Sequence, residues 1–228
     1  MNEFAVVEDI LRNRRGFFDE IREGIEIAAK IRAMLVSSIL FLALYGAVLG
    51  STHSVLQALS SAIKLPVLFL ITLIICLPTL YFFNVLFGSR QSLSQSFALI
   101  LTAITVTAVL LLSFAPITLF FMLTTSHYQF FKLLNVGIFA ITGLVGVTFL
   151  YQGMQYVSRE EEGRGARAWV LQLWILIYGF VGSQMAWTLR PFIGSPDLPF
   201  ELFRQLGGNF YVNIIASIGE ILGFVIVK

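Results

Sequence analysis

Residues 94–123 read SQSFALILTAITVTAVLLLSFAPITLFFML, a run without a single Asp, Glu, Lys or Arg. At 1.5 Å of rise per residue a helix of that length covers roughly 45 Å, against a hydrocarbon core of ~30 Å. So long an uncharged run belongs in a bilayer, yet it exceeds one upright span. Pro116 lies past its midpoint and calls for a tilt or a bend. A half-inserted return after Ser113 is the alternative reading.

The rest of the chain agrees. Hydrophobic residues make up 57% of the 228 residues and charged ones 12%, and mean hydropathy is +0.86. Soluble domains carry about 25% charge, so this is a membrane composition. The expected fold class is all-α, a polytopic transmembrane helical bundle of about six spans with an N-terminal amphipathic helix. Residues 1–32 form a cytoplasmic amphipathic leader, and residues 33–228 form the bundle, including a Pro-rich extracytoplasmic cap at 190–209. The first apolar run starts only at Met34, after a charged leader too long for a secretory signal, so an uncleaved first span is expected rather than cleavage near Gly50–Ser51.

In the leader, Val7, Leu11, Phe18, Ile21, Ile25 and Ala28 recur at helical spacing opposite charged positions. Gly16 is a candidate break between two helices. Such a helix either lies on the membrane or a partner, or packs against the protein's own loops. Spans then follow at about Met34–Leu49, Leu65–Phe87 (with Pro66 in its first turn and a kink at Pro78), Ser94–Leu123, Phe131–Met154, Ala168–Leu189 and Phe210–Val227. Ser51–Lys64 reads as a short interfacial helix through Val55, Leu56, Leu59 and Ile63. Gly137, Ala140, Gly143 and Gly146 allow close helix approach. With the N-terminus inside, eleven Lys and Arg fall on inside segments and four outside, which places both termini in the cytoplasm of a plasma (inner) membrane.

Between the last two spans, Trp187–Phe210 holds Pro191, Pro196 and Pro199. Proline fixes φ and removes a donor, so this is a stiff connector. Ser195 or Asp197 can cap a short helix with Phe200 and Phe203 on one face. Arg190, Glu201 and Arg204 beside these aromatics suit a membrane–water interface.

Chemistry-bearing residues are sparse. Glu220 is the only acidic residue inside an apolar span, where an ionisable group is costly without water, a partner or its own proton. It shares a helical face with Asn209, Asn213, Ala216, Ser217, Gly219 and Gly223. One reading makes Glu220 a proton or cation site with a pKa raised by desolvation; the other makes it a hydrogen-bonded anchor of helix register, with Gln184, Asn84 or a backbone carbonyl as partner. Asn213, Ser217 and Gln184 complete the candidate polar site. Gly179/Ser183 and Gly182/Ala186 on the fifth span match the small face around Gly219 and Gly223, so these two helices are expected to pack together. No nucleophile–base pair, phosphate-cradling loop or metal-ligand spacing stands out, with His53, His127 and Cys76 isolated. Arg12, Arg14 and Arg15, offset by acidic neighbours, leave no nucleic-acid footprint.

The pattern Trp187-x-x-Arg190-Pro191-Phe192-x-Gly194-Ser195-Pro196, followed by Gly208-Asn209-Phe210-Tyr211, resembles uncharacterised bacterial multi-spanning membrane proteins. The layout of charged leader and compact bundle is similar to the Yip1-like group, whose usual five spans the six read here exceed. Neither resemblance implies an activity or a residue role. The functional expectation is therefore a non-enzymatic integral membrane scaffold or accessory subunit, without cofactor or metal, in contact with lipid and with other membrane subunits or further copies of itself. The alternative is a small transporter or channel coupled through Glu220.

Overall fold

The computed structural model describes residues 4–86, 88–125, 127–158, 164–194, 199–204 and 208–222, with 164–167 as backbone. Every regular element among them is helical: α1 Ala5–Arg12, α2 Arg14–Glu23, α3 Ile27–Gly50, α4 Val55–Leu86, α5 Leu93–Thr124, α6 Tyr128–Val157, α7 Arg164–Thr188 and α8 Phe210–Ile221. Five of these, α3 to α7, are long and apolar enough to cross a membrane, and α8 is a shorter apolar helix. The chain is thus a polytopic helical membrane protein. Successive spans run in opposite directions between a leader end, where α1 and α2 sit, and a cap end, where α3 turns into α4.

Residues 94–123 lie within one continuous helix, which settles the choice against a half-inserted return. A reciprocal capping box starts α5: Ser92 Oγ accepts from the Gln95 N–H, and Gln95 Oε1 accepts from the Ser92 N–H. α5 is also the centre of the bundle. Ala98–Ala108 are buried without interruption, enclosed by α3, α4 and α6. Hydroxyls in and below this run are paired within the protein. Ser38 of α3 meets Thr105 at 2.9 Å. Thr107 bonds its own Ala103 carbonyl and lies 3.4 Å from the Thr142 carbonyl of α6. Nearer the cap end, the Tyr45 hydroxyl joins three helices, 3.2 Å from Thr118 Oγ1 and donating to Asn135 Oδ1 at 3.0 Å. In hydrocarbon no water replaces such bonds, so a hydroxyl inside must be answered by another helix.

Glycines let the helices come this close. A Cβ at Gly46 or Gly50 of α3 would collide with the carbonyl oxygens of Ser61 and Gln57 on α4. At Gly146 of α6 it would meet Thr107 Oγ1 and the Ala103 carbonyl of α5. Gly137 and Gly143, from the same three-residue repeat, face open space. Three-residue spacing walks around a helix at 100° per residue, so only part of the series can face one neighbour.

Two boundaries differ from the sequence reading. α4 is unbroken from Val55, so Pro66 lies inside the helix and not in its first turn. The stretch read as an interfacial helix, Ser51–Lys64, belongs largely to this span. Its apolar residues are the exposed ones, Val55, Leu56, Leu59 and Ile63, while Gln57, Ser61 and Lys64 are buried. In the leader the break falls at Asn13, with φ −119° and ψ 46°, and not at Gly16. Gly16 lies inside α2, where a Cβ would strike the Asn13 side chain. Val6 and Ile10 are buried instead of Val7 and Leu11, and Phe17, Phe18 and Ile21 continue the contact. The leader thus packs on its own bundle. Lys30 of α3 pairs with Glu20 at 2.8 Å, and Gln95 Nε2 donates to the Ile21 and Arg22 carbonyls at the end of α2.

Because Gly46 and Gly50 sit against backbone, Gly46→Ala and Gly50→Ala should each destabilise the bundle by about 1–3 kcal/mol. Gly179→Ala on α7, with open space at its Cβ, should leave stability unchanged or raise it by up to ~1 kcal/mol. Thermal unfolding in detergent, followed by reaction of the buried and solitary Cys76 thiol with a fluorogenic maleimide, reads both outcomes.

Candidate functional site

The polar groups of the cap end form two neighbouring clusters. The first begins on α4, where Gln57, Ser61 and Lys64 fall at i, i+4 and i+7 and so share one face. Gln57 Nε2 donates to the Pro191 carbonyl at 2.8 Å, and Ser61 Oγ to the Phe192 carbonyl at 2.6 Å. Lys64 Nζ donates to Pro191 O at 3.3 Å and also to Leu202 O. The same ammonium lies 4.8 Å from the centroid of the Phe203 ring. Lys64 is only 5% exposed; carbonyl dipoles and a ring face stand in for a carboxylate around it.

The connector is thereby fastened down. Gly194 rests on His53, leaving no room for a Cβ. The Arg204 N–H donates to the Arg190 carbonyl at 3.2 Å, and Arg204 Nε pairs with Glu201 at 2.9 Å. The Arg190 guanidinium stacks 3.3 Å above the Trp187 ring, while Trp187 Nε1 donates to Gly208 O. Burial, and then the nearby charge of Arg204, lower the Arg190 pKa below its usual value. Residues 199–204 form bends and irregular backbone in place of the expected short helix, so Phe200 and Phe203 share no helical face. Ser195, Pro196 and Asp197 lie outside the described residues.

The second cluster joins α8 to the first turn of α6. The Asn209 side chain caps α8 by accepting from the Val212 N–H at 3.0 Å. Asn213 Oδ1 accepts from Lys132 Nζ at 3.0 Å. Ser217, buried, donates to the Asn213 carbonyl. Glu220 Oε2 accepts from Gln129 Nε2 at 2.8 Å, on an exposed surface. Asn213 and Glu220 stand about 10 Å apart along α8, whereas their partners Lys132 and Gln129 are three residues apart near the start of α6. Gln129 is the partner of Glu220 in place of Gln184 or Asn84.

The α7–α8 contact also differs from the expectation. Tyr211 meets Ser183 at 2.9 Å and stacks on Phe180 with centroids 6.3 Å apart. Gly182 faces Thr72 of α4, and Gly179 faces open space. Gln184 is half-buried and its carbonyl accepts from Thr188. Gly219 is half-buried on α8, and Gly223 lies outside the described residues. α7 is held mainly by α4, where Trp174 Nε1 donates to the Cys76 carbonyl at 2.9 Å. The sequence reading missed Gln57, Ser61 and Lys64 as connector anchors; their four- and three-residue spacing was the available signal. It also missed Gln129 and Lys132, which carry no such pattern.

Fold and cap together define a membrane-embedded helical protein with a charged leader docked at one end and a fastened connector at the other. The Yip1 domain model matches residues 9–184, and the chain belongs to that family. The match spans the second half of α1, α2 to α6, and α7 up to Gln184, while the connector and α8 follow it. No curated protein and no solved structure matches the chain.

Removing the Lys64 ammonium tests the cap. Lys64→Met keeps the stem but leaves Leu202 O without this donor, which should loosen residues 199–204 by about 1–3 kcal/mol. Faster hydrogen exchange across the connector, with little change in the melting of the bundle, is the expected outcome.

Proposed function

We propose that this protein is a non-enzymatic integral membrane scaffold or accessory subunit that binds a partner helix along α7. The observation that carries this reading is the notch at Gly179. Glycine weakens a helix by ~1 kcal/mol relative to alanine, and Gly46, Gly50 and Gly146 return this through close packing inside the bundle. Gly179 has open space where its Cβ would be, flanked by Leu176 at 70% and Phe180 at 56% exposure. A small-residue notch between exposed apolar side chains is the form a helix–helix interface takes in a bilayer. The packed, hydroxyl-paired interior around α5 supports a scaffold over a conduit. Glu220, exposed beside Gln129, is read as a tie between α8 and α6.

The orientation follows from charge. Arg12, Arg14, Arg15, Arg22, Lys30, Arg32 and Arg90 crowd the leader end, and the positive-inside rule assigns that end to the cytoplasm, with the cap outside. A plasma or inner membrane is the proposed location.

Gly179→Leu should abolish co-purification of the partner, or self-association if the partner is a second copy, while the melting temperature stays within a few degrees. Glu220→Gln should leave both folding and assembly intact. Crosslinking in cells before extraction in mild detergent reads the assembly. A wild-type chain that stays a solitary monomer under these conditions would refute the scaffold reading, and pH-dependent flux in liposomes abolished by Glu220→Gln would replace it with transport.

A further inference from the structure

Where α1 meets α2 the chain leaves an open cavity of about 500 Å³ at the leader end. Arg12, Asn13, Arg14 and Arg15 line one side, Gln152 and Tyr156 of α6 the other, and Phe18 lies beneath. The scaffold reading makes no use of it.

The charges here do not balance among the described residues. Arg12 is paired with Glu8 one turn back, at 2.5 Å. Asp19 accepts a hydrogen bond from the Tyr156 hydroxyl at 2.9 Å. Arg14 and Arg15 have no carboxylate partner among the described residues. Arg14 is the more firmly built in. Its guanidinium carbon lies 4.2 Å from the centroid of Phe149 and 6.0 Å from that of Phe18, and its Nη2 is shut off from solvent without an acceptor. Burial lowers its pKa from the usual arginine value. The ring faces offset part of the cost of its partial burial. The cavity is where an anion can meet this guanidinium, which has no carboxylate partner among the described residues.

The surroundings suit an anion in three further ways. Arg15 is exposed and can swing toward a ligand. The ten-residue α2 begins here, and no side chain caps its N-terminus. Gln152 and Tyr156 stand in the last two turns of α6, where a span of this length emerges at headgroup level.

We propose that this cavity binds a phosphate-bearing anion, with Arg14 and Arg15 as its charge partners and Gln152 as a neutral donor at its wall. A phosphomonoester carries close to two negative charges near pH 7, matching the two guanidiniums without a carboxylate partner among the described residues, and each guanidinium presents a planar fork that fits phosphate oxygens. Two sources share that chemistry, the headgroup of an anionic lipid and a soluble phosphate.

The test uses the full chain in dodecyl maltoside, titrated separately with dioctanoyl phosphatidic acid, inorganic phosphate and dioctanoyl phosphatidylcholine and read by microscale thermophoresis. Saturable binding of phosphatidic acid or phosphate, but not phosphatidylcholine, is expected. Arg14→Gln and Arg15→Gln should each weaken it ~10-fold or more, while Arg90→Gln, the same charge change away from the cavity, should leave it unchanged. Competition by inorganic phosphate assigns a soluble ligand, and binding of phosphatidic acid alone assigns a lipid; both support the site. Arg15→Gln alters an exposed side chain, so it remains informative if Arg14→Gln disturbs packing against Phe149. Equal binding of all three ligands, no saturable binding, or binding unaffected by both substitutions would overturn the proposal.

Discussion

The packing of α3 and α6 onto α5 is the constraint from which the remaining structure follows. α5 offers lipid almost no surface between Ala98 and Ala108, so the threonines in that run must find acceptors inside the protein. Each of Thr102, Thr105 and Thr107 bonds a carbonyl one turn back on α5. Thr105 and Thr107 also reach across to Ser38 and Thr142. Such short bridges require close backbones, and Gly146 supplies that closeness on α6. On α3, Gly46 and Gly50 do the same toward α4, which draws the polar face of α4 inward. That inward face then holds the connector. A single crowded helix thereby organises contacts at the cap end, two helices away from itself.

Much of this was legible in the sequence, and the parts that were not share a cause. The length of residues 94–123 marked a span, but hydropathy is the same for a helix facing lipid and one facing other helices. Only its three threonines at 102, 105 and 107, with Ala98, Ala103 and Ala108, distinguish the central helix. The start of α4 was read as a separate interfacial helix because its polar face looks like one turned to water; in the protein Val55, Leu56, Leu59 and Ile63 do face outward, but Gln57, Ser61 and Lys64 are buried and the helix runs on into the span. The buried face of α1 was set one residue off because Asn13, and not Gly16, resets the helical phase. The prolines of the connector marked a break between two apolar runs, and α7 ends at Thr188 before it. Its partners on α4 lie more than 120 residues earlier, and no local pattern links the two. Glu220 was legible as an unusual residue, whereas Gln129 across from it was not.

The two ends of the bundle solve opposite electrostatic problems. At the cap end one buried ammonium, Lys64, is answered by backbone carbonyls and the Phe203 ring, and those same bonds hold the connector. At the leader end several guanidiniums crowd the α1–α2 junction, with Glu8 and Asp19 already engaged. The family match ends at Gln184, four residues before α7 does. The connector and α8 are therefore fastened onto a five-span unit through side chains that the unit itself supplies, on α4 at one side and α6 at the other.

The fastening of the connector to α4 also sets a schedule for the growing chain. Gln57 meets the Pro191 carbonyl 134 residues later, and Ser61 meets Phe192 131 residues later. At about 5–20 residues per second of synthesis, roughly 7–27 s separate the two partners. For that interval the start of α4 carries a polar stripe and a lysine with nothing of the connector to bind. Such a helix is poorly suited to rest in the acyl chains until the connector emerges. Its first turns are best held near the headgroups, or by the insertion machinery, and the cap closes only once the connector has been made.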